Sequence, residues 1–142
     1  MEGEFKMRIM LSLFMLLTLS ACAGHGFEGM EKPEKDGAIV YYYRPWRFTG
    51  AALPLDVREN NDLVVSLGTK EYKAHKTSTG KKTASVEGVG VSDYVPFTAE
   101  KGKSYFIRVE RTFFGGIMGG VEMDMVPEEK ALREIQECSK TQ

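Results

Sequence analysis

The chain has 142 residues, a formal net charge of −1 at neutral pH, two cysteines and fifteen glycines. That length supports one domain and not two, and the near-neutral balance excludes a global attraction to nucleic acid or to an anionic membrane. Leucine is concentrated near the N-terminus, whereas Val, Tyr, Phe and Gly dominate the remainder, which is a β composition.

Residues 7–22, MRIMLSLFMLLTLSAC, come first in the chain order. Lys6 and Arg8 precede an apolar run over 9–19, and Ser20-Ala21 then lead into Cys22. A positive stretch, a short apolar stretch and small residues at a cut are the order of a secretory signal. The run is too short to span a bilayer, which needs ~20 apolar residues. Leu19-Ser20-Ala21-Cys22 resembles the lipobox of bacterial lipoproteins. The resemblance implies removal of residues 1–21, diacylation of Cys22 with palmitate-like chains, and residence in the cell envelope. Each buried methylene contributes ~0.8 kcal/mol, so two chains anchor stably where one does not. Ala23 stands where an aspartate would resemble an inner-membrane retention signal, so the expected address is the outer membrane facing the periplasm. The alternative is a plain secretory signal followed by a chance cysteine. Glu2 and Glu4 are unusual in such a leader, and a start at Met7 gives the more regular one.

Residues 22–37 combine the lipidated cysteine with AGHGFEGMEKPEKDG, which has low apolar content, four glycines and alternating charges. The composition predicts a flexible tether, on the order of 20 Å as a coil and about 50 Å fully extended. His25 has no neighbouring ligand residues and is assigned nothing. The domain then occupies 38–142. Residues 38–44, AIVYYYR, form the strongest strand: Ala38, Val40 and Tyr42 on one side, Ile39, Tyr41 and Tyr43 on the other. A strand apolar on both faces is predicted to be central or to lie beneath a helix. Pro45 ends the ladder, and Trp46 and Phe48 follow in a loop. These two either cap one end of the core, the favoured reading, or form an exposed aromatic contact.

Leu53, Leu55 and Val57 alternate with polar residues, 59–62 is turn-rich, and Leu63, Val65 and Leu67 return inward as a hairpin. Residues 70–75 and 82–86 are then expected to form a second hairpin around 77–80. It gathers Lys70, Lys73, Lys76, Lys81 and Lys82 with His75, opposed only by Glu71. Either it is a candidate contact for anionic lipid head groups or an acidic envelope polymer, or it is a solvated edge whose lysines discourage sheet-to-sheet association. Val95, Phe97 and Ala99 mark a further strand. Residues 104–111 form an amphipathic one with Tyr105, Ile107 and Val109 inward and Phe106 outward beneath a loop or helix. Residues 113–120, FFGGIMGG, interrupt large apolar side chains with paired glycines. Phe113, Phe114, Ile117 and Met118 are the candidate contact with a membrane or protein partner, or else they fold back on the core. Val121, Met123 and Met125 form a last inward set. Residues 127–139 read as a helix, with Pro127 at its start, Glu128 and Glu129 in its first turn, and Ala131, Leu132, Ile135 and Cys138 on one stripe. Cys138 is a buried hydrophobe, or else an intermolecular disulfide partner or a reactive thiol.

Short strands with turn signals between them predict a mainly β domain, an antiparallel β-sandwich or open barrel of about 7–8 short strands with one C-terminal α-helix packed on it. The lipobox, Ala-Ile-Val-Tyr-Tyr-Tyr-Arg-Pro at 38–45 and Gly-Lys-Ser-Tyr-Phe-Ile-Arg-Val at 102–109 resemble the small bacterial lipoproteins of domain of unknown function 2846 (DUF2846). Thr77-Ser78-Thr79-Gly80-Lys81-Lys82 departs from that family's Pro-Gly-Lys-His-type turn. The resemblance implies an envelope lipoprotein with no assigned activity and carries no catalytic residues. Nothing else in the sequence points to an enzyme. The two histidines lack metal-ligand spacing, no nucleophile has an orienting base, and the glycine pairs lack the context of a phosphate loop. No cofactor and no nucleic-acid partner are implied. The expected role is that of a lipid-anchored envelope protein that binds a partner or serves as an accessory subunit.

Overall fold

The computed structural model describes residues 26–47, 52–88, 91–114 and 117–141, and at 113–114 and 117–118 it describes the backbone. The signal, Cys22, His25 and Phe48 lie outside the described residues. In chain order the elements are β1 (Gly37–Arg44), β2 (Leu55–Glu59), β3 (Asp62–Leu67), β4 (Glu71–Ser78), β5 (Gly80–Glu87), β6 (Ser92–Ala99), β7 (Ser104–Phe114), β8 (Ile117–Met125), α1 (Glu128–Ile135) and β9 (Ser139–Lys140). The strands form a five-stranded sheet ordered β8-β7-β1-β4-β9 and a four-stranded sheet ordered β3-β2-β5-β6. The fold is a β-sandwich with a C-terminal helix, as the strand spacing predicted. It is not wholly antiparallel, because β1 pairs in parallel with β7 and β4 in parallel with β9.

The aromatic strand β1 is the middle of the first sheet, and Ala38 through Arg44 are all buried. Its alternation divides the protein into two cores. Val40 and Tyr42 face the second sheet and meet Leu55, Val57, Leu67, Ala84, Val86, Ile107 and Val109. Ile39, Tyr41 and Tyr43 face the other way, onto Tyr72, Phe106, Ala131, Ile135 and Cys138. Helix α1 and the chain before β1 cover that second face, which is why both sides of β1 are apolar. The Tyr41 and Phe106 rings stack at 5.0 Å, a contact worth about 1 kcal/mol beyond its buried area.

Several expectations are corrected. Residues 70–82 do not form a hairpin. β4 pairs with β1 and β9, β5 pairs with β2 and β6, and only Thr79 separates them. Gly80 at φ +120° lets the ribbon turn from one sheet into the other. The helix ends at Ile135 rather than near 139. After it, Ser139 donates its N–H to the Lys70 carbonyl at 2.7 Å and Thr141 donates to Tyr72 at 2.9 Å, so the free edge of β4 captures the chain. Residues 26–36, expected as part of a flexible tether, are docked as a strap. Gly26 bridges to Ser139, Phe27 packs edge-on against Tyr41 and Tyr72, and the Glu31 N–H donates to the Tyr41 hydroxyl at 2.6 Å. Trp46 does not cap the core and stands 54% exposed. Leu63 and Met125, expected inward, are also exposed. The β2–β3 register slips between Val57 and Arg58, which breaks the alternation that would have turned Leu63 inward.

Candidate contact surface

The ends of the sandwich differ in chemistry. At one end β1 finishes at Arg44, and Arg44 is level with Glu71, which is level with Ser139, which bridges Gly26. Gly26, where the described chain begins, therefore lies at this end, the chain-entry end. Trp46, Leu53 and Val91 are all exposed near it, at 54%, 46% and 48%. Arg47 beside Trp46 pairs with Glu110 at 3.1 Å. Beneath them the buried Arg44 guanidinium donates to the Leu53 carbonyl at 2.7 Å and to the Leu67 carbonyl at 3.2 Å, tying the loop after β1 to the second sheet.

The β7–β8 hairpin continues past this end. Tyr43 is level with Arg108, so β7 runs on for roughly five residues beyond the level of Arg44 before it ends at Phe114, about 16 Å further along the strand direction. The hairpin pairs Phe113 with Met118 and Phe114 with Ile117, with a register shift between Thr112 and Phe113. Gly120 sits opposite Thr112, where a Cβ would collide with the threonine side chain, so glycine is needed for the strands to close there. The four apolar residues singled out by sequence thus occupy the tip of the β7–β8 ribbon, which the second sheet's loops flank at Arg111, bonded to the Pro54 carbonyl, and at Val121, beside Gly88. Their side chains lie outside the described residues.

The five lysines are not brought together. Lys70 lies at the chain-entry end with φ +58°. Lys76 pairs with Glu34 of the strap at 3.6 Å. Lys73 is half-buried on β4, and Lys81 is exposed on β5 in the other sheet. Lys82 points inward, in phase with Ala84 and Val86, and its ammonium lies 3.8 Å from Glu59 and 2.9 Å from the Ser78 hydroxyl. They share neither a sheet nor a face.

Lys82 belongs instead to a polar cluster between the sheets at the opposite end. Glu59, 7% exposed, accepts hydrogen bonds from the Thr77 hydroxyl at 2.5 Å and the Tyr42 hydroxyl at 3.0 Å. The His75 imidazole stands 3.7 Å from the same carboxylate. Burial alone raises a carboxyl, but the donors and the facing His75 outweigh it and hold Glu59 at about 2. A carboxylate so poor at accepting a proton suits a structural anion better than a general base. The sequence held a signal for this cluster. Glu59 continues the inward phase of Leu55 and Val57, as Lys82 continues that of Val86 and Ala84.

A second charged group ties the helix down. Arg108 reaches Asp124 at 3.1 Å and Glu134 at 3.3 Å, and Glu134 accepts the Tyr43 hydroxyl at 2.7 Å. The Cys138 thiol is buried, and burial, then the nearby Glu137, push it up to about 12. Among the described residues no group of three His, Cys, Asp or Glu is placed to hold a metal ion, and no helix is long and apolar enough to cross a membrane. Two open clefts lie among the described residues, a polar one of about 440 Å³ between the strap and β4 and a more apolar one of about 370 Å³ beside Met125 and Pro127. Comparison with family models, with curated proteins and with solved structures finds no match.

Proposed function

We propose that the chain is a lipid-anchored protein of the bacterial cell envelope, diacylated at Cys22 and without catalytic activity of its own. It works by contact, as a binding or accessory subunit on the periplasmic face of the outer membrane. The observation that carries this reading is the run of basic residues, apolar stretch, Leu19-Ser20-Ala21 and Cys22, followed within four residues by a folded chain at Gly26. The two segments that resemble the DUF2846 lipoproteins fall on β1 and β7, which are adjacent parallel strands. The alternative of an anionic polymer or head group held by a lysine hairpin draws less support, because Lys82 is committed to Glu59 and Lys76 to Glu34.

The test is expression of the full chain in a bacterium with two membranes, followed by intact mass of the product and membrane fractionation. The expected mass is that of residues 22–142 plus two or three acyl chains, and Cys22→Ala should be unprocessed or released from the membrane. A processed product with a bare thiol, or tight membrane retention of Cys22→Ala, refutes the reading.

A further inference from the structure

We infer that the outer edge of β4 beyond Tyr72 is a binding site for an extended acidic segment of a partner protein, added to the first sheet as a strand in line with β9. This gives the contact role a place on the molecule, and it stands whether or not Cys22 is acylated. β9 covers β4 only at Glu71 and Tyr72. The Lys70 and Tyr72 carbonyls accept from Ser139 and Thr141, so the even-numbered residues of β4 aim their backbone groups at this edge. The odd-numbered ones turn to β1, whose own alternate residues bond its other neighbours, as Ile39 does to the Lys103 carbonyl at 3.0 Å. Ala74 and Lys76 therefore each present an N–H and a carbonyl outward. Neither backbone meets a partner on that side among the described residues. Residues 74–78 give about 16 Å of such edge.

The other sheet edges are blunted among the described residues. β3 is interrupted where its register with β2 slips, and β6 carries Pro96. The Asp93 carboxylate takes the Met123 N–H of β8 at 2.8 Å, and Gly26 bridges β9. Alternating donors and acceptors at an open edge are satisfied by an extended backbone. A polar cleft of about 440 Å³ lies at this edge, between 34–37 of the strap and 76–78 of β4, and leaves room for one. Charge selects the occupant. A second copy paired antiparallel about Lys76 would set the two Lys76 ammoniums directly opposite each other, which is destabilising, whereas a carboxylate there forms an ion pair. Lys73 flanks the same edge and makes no ion pair among the described residues. Lys76 has only the exposed Glu34 at 3.6 Å, a pair worth little in water. Asp36 in the cleft is taken by Lys101 at 2.6 Å.

Two probes decide it, acetyl-Val-Glu-Val-Glu-Val-amide and its lysine counterpart, each added to the isotope-labelled full-length protein in a neutral detergent and read by amide exchange. In the free protein the Ala74 and Lys76 amides should exchange at least about tenfold faster than those of His75 and Thr77, which bond to β1. The acidic peptide should slow Ala74 and Lys76 about tenfold and leave His75 and Thr77 unchanged, an effect cut several-fold by about 0.5 M salt. The lysine peptide should do nothing to the parent and should replace the acidic one in Lys73→Glu/Lys76→Glu, whose folding is checked by the slow His75 and Thr77 amides. Ala74 and Lys76 already slow in the free protein, no slowing by the acidic peptide, or equal slowing by both peptides overturns the proposal. Slowing that grows with protein concentration alone gives the edge to a second copy and overturns it too. None of these results depends on the mass of the processed chain, so this failure and a failure of the lipidation reading are told apart.

Discussion

The Glu59 cluster makes a quantitative prediction about acid. Glu59 is held at about 2 against an ordinary value of 4.5, even though burial pushes the other way. The folded-state value is the lower one, so the stabilisation is fully present above pH 4.5 and is lost as pH falls through about 2. Its size at neutral pH is about 3 kcal/mol. Glu59→Gln keeps the shape and one acceptor but leaves the Lys82 ammonium without its counter-ion. The variant should be less stable than the parent by about 3 kcal/mol at pH 7, with the gap closing on acidification until the two coincide near pH 2. Urea denaturation followed by tryptophan emission at several pH values between 7 and 2 measures both curves. Other carboxylates titrate in both proteins and cancel in the difference. A constant gap across that range would show that Glu59 is not held by charge and hydrogen bonds, and the account of the cluster would be wrong.

Three further outcomes are expected. Phe27→Ala should cost about 2 kcal/mol and free the strap; trypsin should then cut after Lys35 in the folded variant but not in the parent. Cys138, buried beside the Arg44 carbonyl, should resist iodoacetamide at pH 8 in the native protein and react at once in urea. Arg108→Ala should lower stability by about 2 kcal/mol through the unpaired Glu134 and Asp124, and hydrogen exchange should rise in α1 more than in β2 or β5.

The legible parts of the fold are those where one short segment decides the outcome. Both alternating sets of 38–44 are apolar, and β1 is covered on both faces. Asn60 and Asn61 adopt positive φ and close the β2–β3 hairpin in two residues. Phe106, out of phase with Ile107 and Val109, lies under the helix as expected. The failures are where partners lie far apart in sequence or where polarity hides direction. Thr79-Gly80 has the residues of a hairpin turn, and nothing local says that β1 and β2 each claim one of the flanking strands. The strap hangs on Phe27, one aromatic in a polar stretch, whose partners Tyr41 and Tyr72 come later in the chain. Glu59 and Lys82 sit in inward phase, but a charged residue at a strand end reads as solvent-facing until its counter-charge is seen across the sheets. The four tip residues were legible as unusual, but their place at the chain-entry end follows only from the parallel pairing of β1 with β7.

If Cys22 is lipidated as proposed, the docked strap limits what the domain can reach. A free tether over 22–37 would let the domain tumble and would extend to about 50 Å. With Gly26 bridged to Ser139, Cys22 is four residues from docked chain, at most about 14 Å if those residues were fully extended. β1, at eight residues, spans about 26 Å, so under the proposed anchoring the far end of β1 would lie within about 40 Å of Cys22. Under the proposed anchoring, a partner would have to approach the membrane, because a domain held on so short a stretch could not swing far out to meet it, and part of the ordering that association needs would be supplied in advance.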